Sequence, residues 1–286
     1  MNKKIKIGII VLVVTVFAFL MSQSLFLPKE TIEDERTITD KEEIIQEAMS
    51  LIYSNFNEEN NQAKWVLSEE DFKKLEKVRP SLYDLYVDRK FIEFGELCVG
   101  PITYEISNNK IYLVTATIPQ ENQHYSRSEG AIIGTHLFAI EKGSLKEIHS
   151  NKVFTIMGSA GYFNEDFAKT VRISENDFAF MLKSGWTMGG STTERTIIVL
   201  FDEGEFKEVF NQETFLNHDY LEEEPEREVI NYSSEIDFFS TKESNFYDIK
   251  INKKNIIKVG NEEKESSNEI HYYRFQEGVY QELKTL

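Results

Sequence analysis

The chain has 286 residues, with 32 basic and 49 acidic side chains, a net charge of −17, 21 Phe, 13 Tyr and one cysteine. That sign disfavours phosphate backbones and anionic headgroups, so nucleic acid is excluded as a partner, and a lone Cys98 excludes an intramolecular disulfide. The acidity fits a solvated surface or a face matched to a basic partner.

Residues 1–28 couple Lys3, Lys4 and Lys6 to an apolar run from Ile7 to Met21 and end at Pro28. This pattern predicts a signal peptide or an N-terminal membrane anchor. Extended to Leu27, the run reaches roughly the 20 residues needed to span a bilayer. Ser22 and Ser24 are the small residues that cleavage after Ser24 would use. The retained anchor is favoured, because apolar character resumes at Leu25. Lysines precede the run and Glu30, Glu33, Asp34 and Glu35 follow it, so the rest of the chain is expected outside the cytoplasm. The expected location is a bacterial cell envelope, with a single-pass anchor and an outward C-terminal domain, or secreted or periplasmic after cleavage.

Residues 29–38 read as a charged tether and 39–90 as a helical segment. Thr39 with Glu42 makes a capping box, and Ile45, Met49, Ile52 and Phe56 form one apolar stripe. A second helix is predicted from Ser68 and Asp71 through Phe72, Leu75 and Val78, interrupted by Pro80 and restarting over 82–86.

From Phe91 to the end the pattern is β-rich. Strands are predicted over 110–118, 131–140, 152–157, 169–174, 178–184, 195–201, 232–239, 246–251 and 270–275. Cys98, within FGELCVGPITYEI, reads as a small core residue of a strand. The fold class expected is mainly β with N-terminal helices: an antiparallel meander, propeller-like or a β-sandwich.

Three segments share a pattern: HLFAIEKGSLKEI (136–148), IVLFDEGEFKEV (198–209) and YYRFQEGVYQEL (272–283). Each places an apolar strand before Gly143, Gly204 or Gly278 and a second strand after it, which reads as a repeated hairpin. The third, preceded by NFYDIKI (245–251), resembles modules of exported bacterial proteins in which a tyrosine-aspartate strand precedes a terminal YxFxxGxY hairpin. It is also similar to FG-GAP-type propeller repeats, although their loop of spaced aspartates is missing. The resemblance spans 245–283, implies a propeller-like hairpin module and carries no enzymatic role.

Candidate chemistry is sparse. His124, His136, His149, His218 and His271 show no HExxH or other close ligand spacing, so no metal and no cofactor is assigned. His136 and His271 read as structural strand histidines. His218 stands in NHDYLEEEPERE (217–228) beside Asp219, Glu222, Glu223 and Glu224. These could hold a hard cation or face a basic partner, although a solvated acidic loop is favoured because calcium-loop spacing is missing. KSGWTMGGSTTER (183–195) reads as a loop in which Trp186 offers a binding hot spot, or folds back onto the sheet. GSAGYFNED (158–166) lacks both a nucleophile elbow and a phosphate loop.

The function expected is a non-catalytic extracytoplasmic binding or interaction protein with a protein partner in the cell envelope. The candidate binding residues are Trp186, His218, Asp219, Glu222, Glu223 and Glu224. The alternative is an inhibitor or immunity protein against an envelope-targeting toxin or hydrolase. An envelope hydrolase is third, favoured if a histidine meets a buried carboxylate or hydroxyl in a cleft.

Overall fold

Tyr53 leaves the helical conformation (φ −125°, ψ 109°) and ends the first helix, α1 (Lys41–Ile52), one turn before Phe56. Phe56 therefore stands not on the helical stripe but in a short strand, β1 (Phe56–Asn57), opposite Ala63 of β2 (Gln62–Trp65). The computed structural model describes residues 40–78, 96–119, 130–158, 163–188, 190–218, 228–259 and 262–283. The N-terminal apolar run with its Ser24 boundary, the tether, Thr39 and the helical restart over 82–86 lie outside them. No helix among the described residues is long and apolar enough to cross a membrane.

The described cap of α1 is Asp40, whose carboxylate accepts the Glu42 N–H at 2.9 Å, where Thr39 was expected. Aspartate serves as well as threonine there, since either offers an oxygen to an orphan N–H of the first turn. Helix α2 (Glu69–Val78) starts as expected: Ser68 Oγ accepts from Asp71 N–H (3.2 Å), and Asp71 Oδ2 accepts the Ser68 N–H (2.9 Å).

Strands β1, β2, β3 (Leu97–Ser107), β4 (Lys110–Ile118), β5 (Ala131–Glu141) and β6 (Ser144–Met157) pair in sequence order as a six-stranded sheet. A 3-10 turn at Glu165–Phe167 leads into β7 (Ala168–Arg172), β8 (Phe178–Met188), β9 (Ser191–Asp202) and β10 (Glu205–His218). The chain continues through β11 (Glu228–Phe239), β12 (Asp248–Val259), β13 (Glu262–Gln276) and β14 (Val279–Glu282) to complete an eight-stranded sheet, again in sequence order. Every neighbouring pair is antiparallel, so the whole is a mainly β meander. Cys98 is a half-buried strand residue of β3.

The three glycine-bearing segments are the hairpins β5–β6, β9–β10 and β13–β14. They are closed by Lys142–Gly143, Glu203–Gly204 and Glu277–Gly278, all six residues at positive φ. Two successive positive φ values give a turn whose twist matches that of the flanking strands. Asn108–Asn109 closes β3–β4 in the same way.

Three apolar layers hold the sheets. Ile44, Ile45, Met49 and Ile52 of α1 and Leu75 of α2 pack onto Val99, Ile111, Leu113, Ile132 and Phe138 of the first sheet. The other face of that sheet, with Tyr112, Val114 and Ile133, meets Phe178, Phe180, Leu182, Ile197, Val199 and Phe206 of the second, so the sheets stack as a sandwich. The outer face of β8–β10, with Met181, Ile198, Leu200 and Phe210, is covered in turn by Ile249, Ile251, Tyr273 and Tyr280. The second sheet achieves this by folding over itself. β10 and β11 share only the pairs Phe215–Ser233 and Leu216–Tyr232 before β11 swings across β7–β9.

The C-terminal leaf is pinned where its tyrosine-aspartate strand meets the last hairpin. The Arg274 guanidinium donates to the buried Asp248 carboxylate (2.9 Å) and to Glu243, and the Tyr280 hydroxyl donates to the Tyr247 carbonyl (2.9 Å).

Beneath the helices runs a polar chain whose first three members, Tyr53, Thr115 and His136, are buried and whose last, Ser150, is half-buried. The Tyr53 hydroxyl lies 3.1 Å from Thr115 Oγ1, which lies 3.1 Å from His136 Nε2, while His136 Nδ1 lies 2.9 Å from Ser150 Oγ. A neutral imidazole donates from one nitrogen and accepts at the other, so the chain is satisfied in either direction. Burial, aided by His149 and Lys152, pushes the His136 pKa down to about 3. Gly134 makes the room: a Cβ there would lie 2.5 Å from Thr115 Oγ1 and 2.9 Å from His136 Nε2.

Two outcomes follow. Gly134→Ala overpacks this site and lowers stability by about 1–3 kcal/mol, read as an earlier urea midpoint. The unfolded chain protonates His136 near 6.5 and the folded one only near 3. The ring's contribution is therefore complete above pH 6.5 and declines by about 1.4 kcal/mol per pH unit below it. The stability gap between wild type and His136→Gln should narrow from pH 7 to pH 4, and parallel curves would refute a neutral buried ring.

Candidate functional site

Residues 183–188 and 191–195, expected as a loop, are strand: β8 runs to Met188 and β9 starts at Ser191. The β8–β9 ladder runs unbroken from Ala179–Leu200 to Met188–Ser191. The hydroxyl and glycine content suggests a loop, but cross-strand threonine pairs such as Thr187–Thr192 (3.0 Å between hydroxyls) suit a pleated surface. Trp186 shares the β8 face that buries Phe180 and Leu182. Gly158, just past the end of β6, donates its N–H to Ser184 Oγ (3.3 Å), and one step further along β8 Trp186 stands 48% exposed.

Register aligns Trp186 with Thr193, Leu216 and Tyr232, a row across β8, β9, β10 and β11 with an aromatic ring at each end. Tyr232 donates to the Glu213 carboxylate, and the Lys253 ammonium sits 4.0 Å from its ring centroid. Burial and that hydrogen bond push the phenol pKa up.

His218 ends β10, paired with Ser191, two register rows beyond that of Trp186. Its Nδ1 lies 2.6 Å from Ser191 Oγ and its backbone N–H donates to Asn231 Oδ1 (2.9 Å). Asn231, 5% exposed, donates from Nδ2 to Asn217 Oδ1 (2.9 Å). This amide ties β11 to β10 where the ladder between them is only two pairs long. Asp219, Glu222, Glu223 and Glu224 lie outside the described residues.

The structure thus brings Trp186 and His218 to one end of the second sheet and adds Ser191, Asn217 and Asn231, which sequence reasoning missed. Ser191 and His218 are 27 residues apart, and Asn217 and Asn231 are 14 apart. Neither interval is a strand or helix period, so only the β9–β10–β11 register reveals them.

The hydroxyls that meet a histidine here do so in two places. His136 is fully enclosed, and the described ring partner of His218 is Ser191. A serine nucleophile further requires a group orienting the base and donors for an oxyanion. Between β7–β9 and β11 a cleft of about 290 Å³ sets Lys169 and Lys183 against Glu235 and Asp237, with Thr196 and Ser234 between. Among the described residues no three His, Cys, Asp or Glu side chains gather as metal ligands.

Asn231→Ala removes the β10–β11 tie and should lower stability by about 1–3 kcal/mol. Trp186→Ala, half exposed at a strand end, should shift it by no more than about 0.5 kcal/mol. Paired denaturant titrations check both values.

Compared with known protein families, curated proteins and solved structures, the chain matches none.

Proposed function

We propose that this protein is an extracytoplasmic interaction protein that engages a protein partner through the Trp186 end of its second sheet. The observation that carries the reading is a half-exposed tryptophan fixed in a strand on the face that elsewhere forms the core. Such a ring is a large anchor that loses little conformational freedom on binding, the composition of an interface hot spot. Thr187, Thr192, Ser191 and His218 around it supply hydroxyl and imidazole groups suited to a polar rim. The acids Asp219, Glu222, Glu223 and Glu224, next in sequence after His218, add negative charge that favours a basic partner surface. The N-terminal run of residues 1–28 would hold this face outside the membrane.

Crosslinking and affinity purification of the full-length chain from the envelope fraction test the proposal. Trp186→Ala should weaken recovery of the partner by about thirtyfold, the loss expected of a hot-spot residue worth about 2 kcal/mol. Equal recovery with wild type and variant, or turnover of an envelope substrate without a partner, would overturn it.

A further inference from the structure

The longest exposed feature is on β13, where the register row of Trp186 continues from Tyr232 through Asn255 to Ser267. Residues Glu262 to Ile270 are exposed throughout, and Ile270 keeps 47% of its surface. β12 pairs with β13 along its length, whereas β14 covers only Tyr273 to Gln276. The ladder on that side ends with Leu283 N–H donating to the Tyr272 carbonyl (2.7 Å). Backbone groups alternate sides along a strand, so Ile270, Asn268 and Ser266 direct their N–H and C=O groups the same way as Tyr272. Among the described residues no strand meets them.

Charge narrows the occupant. β11 carries Glu228, Glu235 and Asp237, β12 carries Lys250, Lys253, Lys254 and Lys258 with Asp248 at its start, and β13 carries Glu262, Glu263, Glu265 and Glu269 with Lys264 and Arg274. Register sets Lys258 against Glu263 and Lys253 against Glu269. The exposed stretch 262–270 carries four glutamates against one lysine, Lys264, and so favours a basic strand beside it. A second copy pairing edge to edge would bring two net-acidic stretches together, which is unfavourable.

We infer that the β13 edge over Ser266–Ile270 receives an extended, lysine- or arginine-rich segment of a partner protein, which adds a strand to the second sheet. Backbone hydrogen bonds supply affinity, and Glu269 within that edge, with Glu262, Glu263 and Glu265 beside it, favours basic side chains. Four strands, β9 to β12, stand between this edge and Trp186, so Trp186→Ala leaves its binding unchanged.

The test uses the full-length chain in detergent with an end-blocked peptide of alternating Lys and Val, about ten residues long, enough to span the edge. Hydrogen exchange at the outward amides of Ser266, Asn268 and Ile270 should be fast in the free protein and slowed by the peptide. Asn268→Pro deletes an outward N–H without touching the β12 ladder, as proline is tolerated on a free edge. It should weaken binding about tenfold at unchanged stability. The same peptide N-methylated at alternate amides should bind at least as poorly. The inference is overturned by slow exchange without peptide, by equal binding of the N-methylated peptide or of Asn268→Pro, by no binding at all, or by dimerisation that protects the strand.

Discussion

Strands β8 and β9 are apolar on both faces, and that burial requirement organises the rest of the molecule. Phe180 and Leu182 point into the sandwich core, while Ala179 and Met181 point into the outer one, and Val199 and Ile198 divide in the same way. An antiparallel sheet ordinarily leaves one face to water. Here neither face can be left, so one needs the first sheet and the other needs cover that only the remainder of the chain can supply. The C-terminal leaf folds back to provide it with Ile249, Ile251, Tyr273 and Tyr280.

Folding a continuous meander back on itself leaves weak seams. The β10–β11 ladder shrinks to two pairs, and side-chain amides take over where backbone pairing stops. A similar substitution occurs in the first sheet. There the Tyr53–Thr115–His136–Ser150 chain joins α1's end to β4, β5 and β6 beneath apolar helices. Buried polar groups are costly unless every member is satisfied, and this chain reaches that condition only because residue 134 carries no Cβ.

Much of the β architecture was legible because its cues are local. Glycine or asparagine turns and apolar runs locate β4 to the residue and β5 to within one, and the Ser68–Asp71 box locates α2. What escaped is of two physical kinds. Thr and Ser in β8 and β9 read as loop because their strand role depends on a facing strand, so the Trp186 hairpin was drawn too short. The partners Ser191, Asn217, Asn231, Thr115 and Ser150 are set by register, which a one-dimensional pattern does not encode. The sandwich, rather than the propeller-like arrangement, follows from which faces are buried together. That is a pairing between strands far apart in the chain.

The same logic explains why an acidic chain can leave a long sheet edge in the open. A bare edge invites pairing with any extended strand, including another copy of itself. Four glutamates on β13 make self-pairing unfavourable, and lysines on β12 neutralise them from within, so the strand remains stable in its own sheet. Charge that prevents self-association leaves the backbone groups of Ser266, Asn268 and Ile270 available, and therefore confers selectivity. At the Trp186 end the outward groups are side chains, a ring with hydroxyls beside it, and recognition there depends on shape and burial. The two surfaces thus discriminate by different physics, the first through backbone pairing and electrostatics, the second through desolvation of an aromatic ring.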